Sequence, residues 1–156
     1  MEQRRFFEAK GEESGEWLVL DGKRHPPRVI CKCVGWNAPK NAALIAAALQ
    51  AHMTATTLQL VSSRICAVEA VRAARRAGGG PAVALAIRLL RSLVLVAVTH
   101  AVVTRAASLE PPELRTLDAI HLATAMEANA TELLAYDRRL ADAAVALGLT
   151  VHSPGA

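Results

Sequence analysis

Aromatic side chains make up only 3% of this 156-residue chain, so clusters of large rings cannot fill its interior. The core must instead rely on Leu, Val, Ile and abundant Ala packed closely, an arrangement that tolerates cavities poorly. Three cysteines are too few, and odd in number, for a disulfide framework. Cys66 falls in an apolar helical stripe and reads as core. His25, Cys31 and Cys33 have no second Cys or His pair at finger spacing, which argues against structural zinc. The first sixteen residues are charged and lack the apolar stretch of a secretory leader. The uncharged run 41–63 is long enough to raise a membrane span, but Gln50, His52, Gln59 and five hydroxyls point to a helix, a turn and a buried strand. A soluble, cytoplasmic protein without membrane contact is expected. Acids are scarce in the middle of the chain: between Arg28 and Leu109 the only one is Glu69.

What is present describes one folded domain. Hydrophobic residues reach 53% against 21% charged, far from a disordered composition, and the length suits a single sizeable core. Net charge is +4, carried by the region after residue 27, where thirteen basic residues face eight acidic ones. Arg64, Arg72, Arg75 and Arg76 lie near Glu69, and Arg138 and Arg139 beside Asp137. A basic rim around acids suits a polyanion, although any one arginine also serves as an ordinary solvated charge.

Residues 1–40 form an atypical N-terminal segment, and the regular domain occupies 41–156, with its first strand placed within 17–34. The pattern predicts helix 41–51, strand 57–61 with Ser62 or Ser63 capping the next helix, and helix 64–77. A break at the Gly78-Gly79-Gly80-Pro81 run precedes helix 82–91. Strand 93–98, helix 100–108, helix 116–128, strand 132–136, helix 138–147 and strand 150–152 follow. Continuous apolar strands alternating with helices give an α/β fold with a central parallel sheet covered on both faces. The glycine run is not a phosphate loop, because no lysine and serine follow at the required spacing.

The stretch 114–149 holds the chemistry. From Asp118 a helix with Leu117, Ile120, Ala123 and Met126 on one face carries the chain about 16 Å away. Asn129 and Thr131 turn it, and ELLAY returns about 16 Å as a strand. Asp137 therefore comes back to the level of Asp118, and two carboxylates at one sheet edge suit a hard divalent cation. Each has a simpler role: Asp118 complements a helix dipole, and Asp137 caps the next helix. Glu69 lies about two turns into its helix, with its carboxylate leaning back toward the strand end. Taken alone, its position favours an exposed pair with Arg72. His121, one turn beyond Asp118, reads as a packing histidine.

The run LRTLDAIHLATAMEAN with LLAYDRRLADAAVALGL resembles the C-terminal half of a PIN domain, most closely the VapC toxins of bacterial toxin–antitoxin pairs. VSSRICAVEAVRAARR resembles their second acidic motif, and KNAALIAAALQAH their first helix. The resemblance covers about residues 40–155. It implies a three-layer α/β/α sandwich and a metal-dependent endoribonuclease acting on single-stranded regions of RNA. It also implies a small antitoxin partner and a homodimer. It assigns Glu69, Asp118 and Asp137 to Mg²⁺ or Mn²⁺, overriding the Arg72 pairing for Glu69. The sequence departs from the family at the first strand, which should end in an aspartate followed by a small hydroxyl residue. RVICKCVGWNAPK contains no acid. WLVLDGKRHPP ends a strand in Asp21, but Gly22 and Lys23 follow and Pro26-Pro27 would break the next helix. Ala135 also replaces a hydroxyl residue often found two positions before the last aspartate. Weak cleavage, or a catalytically inactive domain that binds antitoxin or RNA, is the corresponding expectation. A receiver-like domain shares the alternation of strands and helices but needs a late lysine, and none follows Lys40.

Overall fold

The computed structural model describes residues 18–20, 23–25, 30–31, 51 and 59–155. Two short strands, β1 (Leu18–Leu20) and β2 (Lys23–His25), pair antiparallel as a separate ribbon, with Leu18 opposite His25 and Leu20 opposite Lys23. The strand that leads to Asp21 thus belongs to this ribbon and not to the main sheet. Asp21 itself and most of the expected helix 41–51 lie outside the described residues, although Ala51 is helical.

The main sheet has five strands in the order β5-β4-β3-β6-β7, every neighbouring pair parallel. They are β3 (Ile30–Cys31), β4 (Val61–Ser63), β5 (Val94–Val96), β6 (Glu132–Leu134) and β7 (Thr150–His152). Parallel neighbours require long crossovers, and helices supply them. Helix α1 (Ile65–Leu90) joins β4 to β5, α2 (His100–Ala107) and α3 (Thr116–Glu127) join β5 to β6, and α4 (Arg138–Ala146) joins β6 to β7. The result is a PIN-like α/β/α arrangement. The centre of the sheet, β3, comes from the segment set apart in the sequence as irregular.

Alanine is what lets these layers close. Leu122, Leu133 and Leu140 are fully buried beside Ala125, Ala135 and Ala144, each without exposed surface. Small side chains on α3 and α4 bring the helix backbones close to the sheet, and the leucines fill the remaining space. Replacing Leu122 by Ala should cost roughly 2–5 kcal/mol, because a large residue is removed from a filled site. At about 2–4 °C per kcal/mol for a chain of this size, thermal unfolding should shift down by roughly 5–20 °C. A drop under a few degrees would show that the interior collapses around the gap.

Three local expectations are corrected. The strand expected at 57–61 is observed at Val61–Ser63, so the two serines lie inside it, both fully buried. Ser63 still acts at the helix start, since its Oγ accepts from the Ile65 N–H at 3.2 Å. The glycine run does not split the following helix. It produces an irregularity inside a single helix, with Gly79 at φ +61° and Pro81 unable to donate its backbone bond. The stripe expected on α3 is also not the buried one: Leu117 is 42% exposed, and Ile120 and Met126 are half-buried. Residues Asp118, Ala119 and His121 to Ala125 are buried instead, because α3 is packed against both β4 and α2. Cys66 sits in the core as expected and is in addition disulfide-bonded, to a residue whose side chain lies outside those described.

Among the described residues, no helix is long and apolar enough to cross a membrane.

Candidate active site at the carboxyl edge of the sheet

Strand order places a crevice before any side chain is considered. After β3 the chain builds outward through β4 and β5 on one side, then returns to add β6 and β7 on the other. Ligands of open parallel sheets bind outside the carboxyl ends at such a reversal, here between β3 and β6. Glu69 follows the end of β4, Asp137 follows the end of β6, and Asp118 opens α3.

Asp118 occupies the first turn of α3, where the helix dipole favours a negative charge. It is only 2% exposed, which is unusual for a carboxylate and follows from the burial of most of this helix. One turn later His121 is fully buried. Its Nε2 lies 2.7 Å from Oε2 of Glu69, a contact between side chains 52 positions apart in sequence. Glu69 stands just over one turn into α1, so the β4–α1 turn sets its height, and its side chain remains 23% exposed. The carboxylate therefore turns inward to α3, not outward to Arg72. The contact with His121 thus ties Glu69 of α1 to the helix that carries Asp118.

Asp137 is the N-cap of α4, with extended backbone (φ −82°, ψ 121°). Its Oδ1 accepts from the N–H groups of Arg139 at 3.0 Å and Leu140 at 3.2 Å. The capping role expected as the simpler alternative is thus real. The segment leading to it is pinned on its other side: the Ala135 N–H donates to the His152 carbonyl at 3.1 Å. Ser153 Oγ donates to the Ala135 carbonyl at 2.5 Å, and the Tyr136 hydroxyl donates to the Pro154 carbonyl at 2.9 Å. The C-terminal turn thereby fixes the path from β6 into Asp137.

Hard oxygen donors at a strand edge suit Mg²⁺ or Mn²⁺ in chemistry. Among the described residues no three His, Cys, Asp or Glu side chains converge closely enough to enclose an ion. Mg²⁺ is commonly held by one or two carboxylates, with waters and substrate phosphate completing its shell, and Asp118 and Glu69 are of the donor type that this mode uses. A fully enclosed cage is not formed. Arg72, Arg75 and Arg76 on the helix of Glu69, and Arg138 and Arg139 next to Asp137 in the chain, are exposed. Arg138 reaches Asp142 at 3.8 Å, with both side chains largely in solvent, a contact of little energetic weight. A hollow of about 440 Å³ lined by His100, Ala101, Thr104, Arg105, Ser108 and Glu127 contains none of the three acids.

Sequence reasoning placed His121 in the interior and missed its partner. The available signal was a polar ring one turn from Asp118, in a helix otherwise rich in small and apolar residues.

A parallel sheet whose strand order reverses beside its central strand, with acids set beyond the strand ends, defines an open α/β domain with its candidate site at the reversal. The PIN domain profile matches residues 33–146, well over half of the chain, and the chain belongs to the PIN domain family. It is similar to Ribonuclease VapC35 of Mycobacterium tuberculosis, 42% identical over 106 residues that cover 64% of this chain and 76% of the relative. Ribonuclease VapC46 of the same organism is 43% identical over 103 residues, covering 60% and 73%. Ribonuclease VapC47 is 35% identical over 97 residues, covering 61% and 71%.

Proposed function

We propose that this chain is a VapC-type endoribonuclease toxin that acts on single-stranded regions of RNA and is held in check by a small antitoxin protein. The observation that supports the reading is the buried Asp118 on α3, with Glu69 bonded to His121 of the same helix, in a chain related to ribonucleases. Glu69, Asp118 and Asp137 would hold Mg²⁺ or Mn²⁺. When bound, such an ion lowers the pKa of a water and offsets charge at a phosphate.

The chain's own residues do the rest. Asp118, buried and fixed in the first turn of α3, presents its carboxylate with little freedom to reorganise. Asp137 is fixed by its cap bonds and by the C-terminal turn. The exposed arginines of α1 and α4 attract and align the phosphate backbone. Single strands are the expected substrate, because an attacking group must lie in line with one scissile bond, and a flexible strand bends to meet that demand.

The end of β3 supplies no carboxylate, so activity is proposed to be weak. This same observation favours a second reading, a PIN-like domain that binds RNA or antitoxin without cutting. Incubating the chain with a single-stranded RNA, with Mn²⁺ and with chelator, separates the two. Slow cleavage abolished by chelator supports the nuclease. Binding without cleavage at any Mn²⁺ concentration supports the binding domain. A homodimer in the cytoplasm is the proposed state, testable by sedimentation of the purified chain and by its location in the cell.

A further inference from the structure

We infer that His121 is a positioning residue, which holds one oxygen of Glu69 so that the carboxylate is set for a divalent cation before the cation arrives. The inference rests on the proposed reading of Glu69 and Asp118 as metal-binding acids. A polar ring without solvent contact is costly unless it is hydrogen-bonded, and the bond His121 makes is to Glu69. Nδ1 of His121 is buried and has no partner among the described residues. The 2.7 Å contact from Nε2, which donates to Oε2 of the Glu69 carboxylate, is therefore the hydrogen bond that anchors the ring.

The consequence is a restrained glutamate. A free Glu side chain rotates about three bonds and gives up that freedom when it binds an ion. Here folding has already restrained it, through a ring that is itself locked in the interior of α3. The contact also spans two elements. His121 is one turn from Asp118, so its bond to Glu69 sets the spacing between the acid of α1 and the acid of α3. Partners that orient a ligating group in this way typically contribute 10- to 100-fold to metal affinity.

The test follows melting temperature across an Mn²⁺ titration, with the metal-free melting temperature as the measure of fold. His121→Gln keeps an N–H donor at about the reach of Nε2, His121→Asn is too short, and His121→Leu removes the donor. The expected result is a midpoint near wild type for H121Q and midpoints raised roughly 10- to 100-fold for H121N and H121L. In a Glu69→Ala background, H121L should add no further loss. Wild-type midpoints in both H121N and H121L overturn the inference, as does an equal additional loss from H121L without Glu69. Should H121L fail to fold, the Gln and Asn pair decides. A wild-type chain that ignores Mn²⁺ altogether removes the ion reading itself, an outcome distinct from one in which wild type responds and the His121 variants respond alike.

Discussion

Asp118→Asn should abolish most of the stabilisation that Mn²⁺ or Mg²⁺ is expected to give this protein. An ion bound only to the folded state stabilises by mass action, about 2.7 kcal/mol at 100 times its dissociation constant. At about 2–4 °C per kcal/mol, the wild-type melting temperature should rise by roughly 5–11 °C. Asparagine has nearly the shape of aspartate, so it preserves the helix first turn and the packing of the 2%-exposed site while removing the charge proposed to bind the cation. Cleavage should fall by at least about 100-fold, the scale on which misplacing a reacting group by about 1 Å is felt. Thermal scans with and without Mn²⁺ give the first readout, and the metal-free scan reports whether the variant is folded. A full ion-induced shift in Asp118→Asn would show that the cation binds elsewhere.

Restoring the missing first acid should have an effect of opposite sign. The centre of the sheet is β3, and its carboxyl end faces the crevice at which the strand order reverses. No aspartate or glutamate occurs from Arg28 through Val68, so the acid that would complete the ligand set is absent from the chain at this point. The paired substitution Lys32→Asp with Val34→Ser writes Asp-x-Ser directly after the strand. Water can occupy a vacant coordination position, so ion binding is expected in the natural chain. Water does not orient an attacking group as a fixed carboxylate does, and RNA cleavage should therefore increase by roughly 100-fold in the paired variant. The comparison is initial cleavage rate for both chains, each with Mn²⁺ and with chelator. Robust chelator-sensitive cleavage by the natural chain would sink the idea that a ligand is missing.

The second half of the fold was legible because its local signals agree. Helices expected at 116–128 and 138–147 are observed at Thr116–Glu127 and Arg138–Ala146, and the strand at 150–152 is found as expected. Asp137 caps one helix and Gly148, at φ +85°, ends it, so composition and backbone requirement coincide. The region before it was harder to read. Ser62 and Ser63 carry the composition of a helix cap yet are buried in β4, because the sheet, and not local preference, decides what a central strand contains. The buried face of α3 could not be read from a single stripe, since a helix covered on several sides has no polar face to define one. For the site, chain geometry set Asp118 in the first turn of one helix and Asp137 at the cap of the next, where both are found. The Glu69–His121 contact joins distant segments, and no local periodicity contains it.

The position of β3 also sets the order of events during synthesis. It is the first strand of the five to be made and lies in their middle, between β4 and β6. Ile30 pairs with Val61 on one side and Leu133 on the other, so its second partner is translated about a hundred residues later. At roughly 5–20 residues per second, that edge waits about 5–20 s on the ribosome for its neighbour. The two flanking pairs, β4 with β5 and β6 with β7, close locally and sooner after their own synthesis. The seam between β3 and β6 therefore joins the two neighbouring strands of the sheet that are made farthest apart in time.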